Sequence, residues 1–223
     1  MGLNYIVLVL FAAAFVMSVV LHEVAHGYVA RLCGDPTAEI AGRLTLNPIK
    51  HIDPLMTIAV PLVLLYVSGG RFFFGGAKPV PVNPYLLRNG EVDDLKVSLA
   101  GVTTNFTIAL VFGWSLHLWR PGEAGFTLFA LIAIANLMLG IFNLIPVPPL
   151  DGSHVVRFLL ARVAPEAAAA YQRIGMFGIV LLMLFLSFFG GIILTAVTFV
   201  WDKVLLMGEV PWWDVISQFR ATF

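Results

Sequence analysis

Cysteine and charge are both scarce in this sequence of 223 residues. Cys33 is the single cysteine, which excludes an internal disulfide framework and a zinc site built from several cysteines of one chain. Charged residues make up 12% of the chain, hydrophobic residues make up 60%, and the net charge is zero. A soluble domain carries about 25% charged residues. The composition therefore predicts an integral membrane protein, and it argues against a nucleic-acid partner because no basic excess is present.

Long polar stretches and internal repeats are also missing, so the sequence predicts a single polytopic membrane domain over residues 1–223. The first apolar run has no Lys or Arg before it, and therefore lacks the charged start of a signal peptide. A spanning helix needs about 20 apolar residues. Four stretches free of acidic and basic residues reach that length: 3–22, 97–119, 125–150 and 174–201.

A fifth apolar stretch, residues 54–70, is shorter and contains two prolines. The segment that follows it, 69–90, is rich in Gly, Pro and aromatic residues and cannot form one continuous helix. We expect an all-α bundle of about five or six hydrophobic segments, with a small β-like or re-entrant element at about 69–83. Within that element, Gly75, Gly76, Lys78 and Pro79 form a candidate region where an extended substrate adds as a strand. The alternative is a plain surface loop.

Basic residues indicate the orientation of the chain. Ten of its thirteen Lys and Arg residues lie in the segments 31–52, 71–96 and 152–173. The positive-inside rule places all three segments on the cytoplasmic side. Residues 54–90 must then enter and leave the membrane on one side, either as a re-entrant hairpin or as two passes.

Residues 22–26 read HEVAH, at the end of the first apolar run. His22 and His26 are four residues apart, so on a helix both rings project from one face and can bind one zinc ion. Glu23 can then act as general base on a water bound to that metal. Ionisable residues inside a membrane are costly and mark functional sites. The alternative is a pair of histidines that reach the interface at a helix end.

A catalytic zinc site usually has three protein ligands. Asp151 is the leading acidic candidate, since it follows a long apolar segment and three prolines in NLIPVPPLDG, residues 143–152. The prolines break the helix, and the extended chain that results can carry a carboxylate toward another helix. Asp151 can equally cap the helix that starts after it. The spacing leaves both roles open.

Other polar residues in apolar surroundings have two interpretations each. Asn105 and Asn143 can stabilise an oxyanion or orient the substrate, or they can form hydrogen bonds between helices. His154 can support a metal ligand or lie on the surface. His51 can line the mouth of the cavity, although a solvated loop histidine is the simpler expectation.

Together, HEVAH and NLIPVPPLDG resemble the motifs of the site-2 protease family of intramembrane zinc metalloproteases. The resemblance covers roughly residues 15–160 and includes GRLTLNPIKHIDP, GGAKPVPVN and LAGVTTN. In these segments the sequence is similar to the compact bacterial members of the family that lack a PDZ domain. Val102 stands where the family pattern LAGPxxN, which ends at Asn105, has proline.

The resemblance implies that His22, His26 and Asp151 bind one zinc ion and that Glu23 activates the water. It also implies a prokaryotic multi-pass protein of the cell membrane, which cleaves transmembrane substrates near the cytoplasmic side. The catalytic core is then about 1–160, followed by a hydrophobic segment at 174–207 and an interfacial tail at 208–223. The alternatives are a catalytically silent zinc-binding scaffold and a metal or ion transporter. The intact Glu23 argues against a scaffold. A transporter would need further ionisable residues within its spans.

Overall fold

The computed structural model describes residues 2–67, 69, 75–119 and 122–220. This part of the chain is mainly helical and contains no strand, which confirms the predicted all-α class. The α-helices are α1 (Gly2–Leu32), α2 (Thr37–Ile40), α3 (Val60–Val67), α4 (Glu91–Leu118), α5 (Glu123–Asn143), α6 (Gly152–Val163), α7 (Pro165–Ile174), α8 (Gly178–Phe199) and α9 (Trp212–Arg220). Turns of π-helix extend α3 backward over Pro54–Ala59 and α8 forward over Val200–Val204.

Four described helices are long and apolar enough to cross a membrane. They cover Tyr5–Leu32, Glu91–Leu118, Glu123–Asn143 and Val180–Val204. Helices α1, α4 and α5 pack against one another, and the main buried cluster lies among them and α8. Most of α8 faces outward with large apolar side chains, as expected of a helix surrounded by lipid. The four spans and the shorter apolar helix at Pro54–Val67 give five hydrophobic segments, in agreement with the sequence.

Sequence features explain where α4 begins and ends. Gly90, with φ of 49°, precedes it, and a left-handed backbone suits glycine. Three acidic residues in its first turn, Glu91, Asp93 and Asp94, match the positive end of the helix dipole. The helix runs to Leu118, where Trp119 adopts an extended conformation. The first turn of α4 is therefore charged, and the middle of the helix is apolar.

After α3 the chain returns to the start of the Pro54–Val67 helix, where Gly76 contacts Met56 and Thr57. The Gly76 amide donates to the Met56 carbonyl over 3.0 Å, and Thr57 Oγ1 donates to the Gly76 carbonyl over 2.7 Å. The described residues 75–83 form neither helix nor strand. The β-like alternative for 69–83 is therefore wrong for residues 75–83, whereas residues 70–74 lie outside the described part. These contacts agree with entry and exit of residues 54–90 on one side, and the choice between a re-entrant hairpin and two passes stays a prediction.

The C-terminal tail folds back onto the bundle. Helix α9 packs against α5, with Val215 buried in the main cluster. The Phe219 ring meets Phe11 of α1 at 6.5 Å between centroids. Trp201 is fully buried and its Nε1 donates to the Val210 carbonyl over 2.7 Å. The amphipathic tail thus covers one end of the bundle core.

Candidate metal centre

The two histidines of HEVAH lie on one face of α1, as their spacing predicted. Their ring centroids are 4.6 Å apart and the planes are nearly perpendicular, at 84°. The two Nε2 atoms are 3.0 Å apart. Both side chains are almost fully buried, with 10% of His22 and 12% of His26 exposed.

Asp151 approaches this pair from the start of α6. Its Oδ2 lies 3.3 Å from His22 Nε2 and 3.5 Å from His26 Nε2. The carboxylate makes no hydrogen bond that caps α6, so the structure turns it toward the histidines. Gly152 permits this turn, because a Cβ there would collide with the Leu144 carbonyl oxygen and lie 2.8 Å from that of Ile145.

Glu23 lies beside His22 on α1 and its Oε2 accepts the Val80 amide hydrogen over 2.9 Å. Val80 belongs to residues 75–83, called the strap below. Three further contacts hold the strap in place: Lys78 N donates to the His51 carbonyl, Arg43 Nη2 donates to the Lys78 carbonyl, and Asn83 N donates to Asp35 Oδ2. The strap therefore crosses the α1 face next to the HEVAH motif.

Comparison with known proteins gives concordant matches. The profile of peptidase family M50 matches residues 122–186. Two curated relatives are named "Putative zinc metalloprotease", YwhC of Bacillus subtilis and Rip2 of Mycolicibacterium smegmatis. YwhC is 38% identical over 189 residues, which cover 80% of this chain and 81% of YwhC. Rip2 is 32% identical over 185 residues, which cover 82% of this chain and 70% of Rip2. No solved structure matches.

The chain belongs to peptidase family M50. This is the site-2 protease family that the motifs resemble, so the chain is a membrane metalloprotease and the predicted family is confirmed. The profile match includes Asp151, and HEVAH lies outside it.

The three side chains fit the zinc ion of an M50 peptidase. A tetrahedral zinc ion with bonds of 2.0–2.1 Å separates its ligand atoms by about 3.3 Å. The three donor atoms are 3.0, 3.3 and 3.5 Å apart. Asp151 Oδ2 is buried and has no hydrogen-bond partner, and an orphaned buried carboxylate oxygen is costly unless a cation compensates it. The donor set is therefore suited to a metal.

The charge of Asp151 agrees with this fit. Burial by itself raises the pKa of the Asp151 carboxyl, but the adjacent His22 and His26 rings more than offset it and lower the pKa to about 2. The carboxylate is therefore ionised at neutral pH, as a metal ligand must be.

Helix α4 contacts the Nδ1 atoms of both histidines of this M50 site. His26 Nδ1 lies 2.7 Å from the Val97 carbonyl oxygen, so Nδ1 carries the proton and the Nε2 lone pair is free. Asn105 Nδ2 lies 3.0 Å from His22 Nδ1. Between them, Gly101 faces both rings, and a Cβ there would lie 2.6 Å from His22 Cε1 and would also collide with His26 Nε2. Sequence reasoning missed Val97 and Gly101 because a carbonyl group and a missing side chain leave no residue-type signal.

The other candidates lie around the site. His51 is buried and 2% exposed, with Nε2 2.9 Å from the Thr45 carbonyl oxygen, so the simpler expectation of a solvated loop histidine is wrong. His154 Nδ1 lies 2.7 Å from Asp94 Oδ2, which Arg157 also contacts. The His154 side chain thus links α6 to α4, whereas its backbone N donates to the Asp151 carbonyl over 3.0 Å and its ring forms no hydrogen bond with the Asp151 carboxylate. Asn143 donates to the Leu139 carbonyl of its own helix over 3.0 Å, a contact that gives no indication of an oxyanion role.

Proposed function

We propose that this M50 peptidase is a zinc-dependent endopeptidase that hydrolyses peptide bonds of transmembrane substrates within the bilayer. The convergence of His22, His26 and Asp151, from two elements 125 residues apart, carries the proposal. These three side chains would hold one zinc ion per chain. When bound, zinc supplies a Lewis acid that lowers the pKa of a water ligand toward 7 and polarises the scissile carbonyl.

Glu23 has the proton-transfer role in this proposal. It follows the first histidine directly, and its carboxylate is oriented by the Val80 amide. A carboxylate at this place can take a proton from the attacking water at Oε1 or Oε2 and pass it to the leaving amide nitrogen. The Val80 amide holds Oε2, and Oε1 is the second acceptor of the same group.

The strap is proposed to meet the substrate. A peptide bond inside a stable helix is shielded by its own hydrogen bonds, so the substrate must unwind locally before hydrolysis. An unwound chain needs partners for its freed backbone groups in an apolar medium. Gly75, Gly76, Lys78 and Pro79 lie on the strap, which contacts Glu23 through Val80, and remain the candidate region for this pairing. The N–H groups of Gly76 and Lys78 already donate to Met56 and His51, so a substrate would pair there with the strap carbonyls. Pro79 has no N–H, so there the strap can only accept a hydrogen bond.

The orientation also belongs to the proposal. The metal centre lies at the end of α1 that leads into the basic segment 31–52, which the positive-inside rule assigns to the cytoplasm. The protein is then a multi-pass protein of a prokaryotic cell membrane with its active site toward the cytoplasmic side. Residues 1–223 form one unit, in which residues 1–160 hold every group of the proposed chemistry.

Mass spectrometry of peptides from membranes that contain the wild-type chain or its Glu23→Gln variant tests this function. We expect peptides cut within transmembrane segments in the wild type and none in the variant, with zinc retained in both. A matched control is Glu39→Gln, which removes only an exposed pair with Arg31 worth at most about 1 kcal/mol. Retained cleavage by Glu23→Gln would contradict the role of Glu23. An unchanged zinc content in the Asp151→Ala variant would contradict the role of Asp151 as the third ligand.

A further inference from the structure

Asn105 is fully buried, 0% exposed, on the face of α4 that meets α1. Its amide Nδ2 lies 3.0 Å from His22 Nδ1, while its Oδ1 is buried without a hydrogen-bond partner. This contact joins α4 to α1, as the interpretation of a bond between helices expected, but that interpretation gives no reason why the partner is the Nδ1 nitrogen of a proposed metal ligand.

Metal binding dictates which hydrogen bond His22 makes. A neutral imidazole that offers the Nε2 lone pair to a cation carries its proton on Nδ1. That proton needs an acceptor, and metal-bound histidines nearly always have one. Asn105 is the side chain in place. Its amide offers a donor or an acceptor, depending on rotation about its last bond. In the structure Nδ2 faces His22 Nδ1. With zinc bound at Nε2 the ring proton is on Nδ1, so the amide must turn over and present Oδ1 to it.

The same helix supplies the partner of the second histidine. His26 Nδ1 lies 2.7 Å from the Val97 carbonyl oxygen. Val97, Gly101 and Asn105 are spaced four residues apart, so they lie on one face of α4. This spacing repeats that of His22 and His26 on α1. The acceptors for both rings thus flank Gly101, where the absence of a side chain lets the rings approach.

We propose that Asn105 is the positioning residue for His22, accepting the Nδ1 hydrogen through Oδ1 and thereby fixing the ring with Nε2 toward the metal. This inference rests on the proposed zinc site and deepens it. It assigns to Asn105 an effect on metal affinity, whereas an oxyanion donor would act on turnover.

Five variants test the proposal by zinc affinity, measured by competition with a chelator on the full chain in detergent. Asn105→Leu removes the acceptor with little change in volume, and Asn105→Asp keeps an acceptor. Asn136→Leu is the matched control. Asn136 is also fully buried, but it donates to Ser18 Oγ over 2.9 Å and to the Ile132 carbonyl. Asn105→Ala and Asn136→Ala repeat the comparison by deletion alone, in case the leucine variants do not fold.

We expect Asn105→Leu and Asn105→Ala to weaken zinc binding about 10- to 100-fold, the usual effect of losing such a partner. Asn105→Asp should stay within a few-fold of the wild type. The Asn136 variants should lose thermal stability but keep their zinc affinity. Wild-type zinc affinity in Asn105→Leu or Asn105→Ala would overturn the proposal, as would equal losses in the Asn105 and Asn136 variants. A wild-type chain that binds no zinc would instead overturn the proposed function, and this inference with it.

Discussion

Replacement of Gly101 by alanine tests whether the contact between α4 and the two histidines is needed for the metal centre. A Cβ at this position would lie 2.6 Å from His22 Cε1 and 2.7 Å from His22 Nδ1, and would collide with His26 Nε2. Because ordinary van der Waals contact needs about 3.5 Å, the rings would have to retreat by about 0.9 Å or more. Metal-ligand distances tolerate deviations of only about 0.2 Å.

We therefore expect Gly101→Ala to weaken zinc binding at least about tenfold and to destabilise the bundle by about 1–3 kcal/mol, the usual cost of overpacking. Zinc content by elemental mass spectrometry and chelator competition measures the first effect, and thermal unfolding measures the second.

Gly140→Ala is the control for overpacking away from the metal. Its Cβ would lie 3.1 Å from Phe106 Cζ, with only the Phe106 ring close by. It should lose stability and keep its zinc affinity. A Gly101→Ala protein that binds zinc as the wild type does would refute the reasoning, because the histidines would then have room that the structure does not show.

Three further changes have defined outcomes. Gly152→Ala should lower zinc affinity and thermal stability, since its Cβ would collide with the Leu144 carbonyl oxygen and shift Asp151. Unchanged zinc binding would contradict the tight turn proposed at Gly152. Asp94→Ala should destabilise the chain by about 3 kcal/mol, because it leaves the Arg157 charge without its carboxylate. Thermal unfolding would show the loss, and an unchanged unfolding midpoint would mean that the pair is not buried in solution. Burial alone raises the pKa of Asp35, but hydrogen bonds from Thr37 and Asn83 lower it. The ionised Asp35 therefore stabilises the folded chain above the unfolded pKa of about 3.9. This stabilisation is lost as the pH falls through the lower folded pKa. Asp35→Asn should accordingly lower the unfolding midpoint at pH 7 and flatten its decline toward pH 3, and an equally steep decline in the variant would contradict the assignment.

Much of the metal centre could be predicted because its first half is local. His22 and His26 lie on one helix, and helix periodicity alone brings their rings together. The spacing left Asp151 open between a cap and a ligand, because its contact with α1 joins parts of the chain 125 residues apart. The family resemblance favoured the ligand, and the structure places the carboxylate beside the two rings without a cap hydrogen bond.

The strap shows why part of the fold was not predicted. The composition of residues 69–90 led us to expect a β-like or re-entrant element at about 69–83, and a strand needs a paired neighbour. In the structure, residues 75–83 are held instead by side chains and isolated carbonyl groups from several elements, among them Glu23, Asp35 and Arg43. These partners are scattered over the chain, so no local pattern indicates them. His51 was expected in solvent for the same reason, yet its side chain is buried and its carbonyl accepts the Lys78 amide of the strap.

The central claim is that two histidines and one aspartate of this M50 peptidase hold a zinc ion, and zinc-edge X-ray absorption of the purified full chain tests it most directly. We expect four-coordinate zinc with two imidazole nitrogens and oxygen ligands at about 2.0–2.1 Å, and an altered spectrum with less bound zinc in Asp151→Ala. A first shell without imidazole, or a spectrum and zinc content that Asp151→Ala leaves unchanged, would contradict the account.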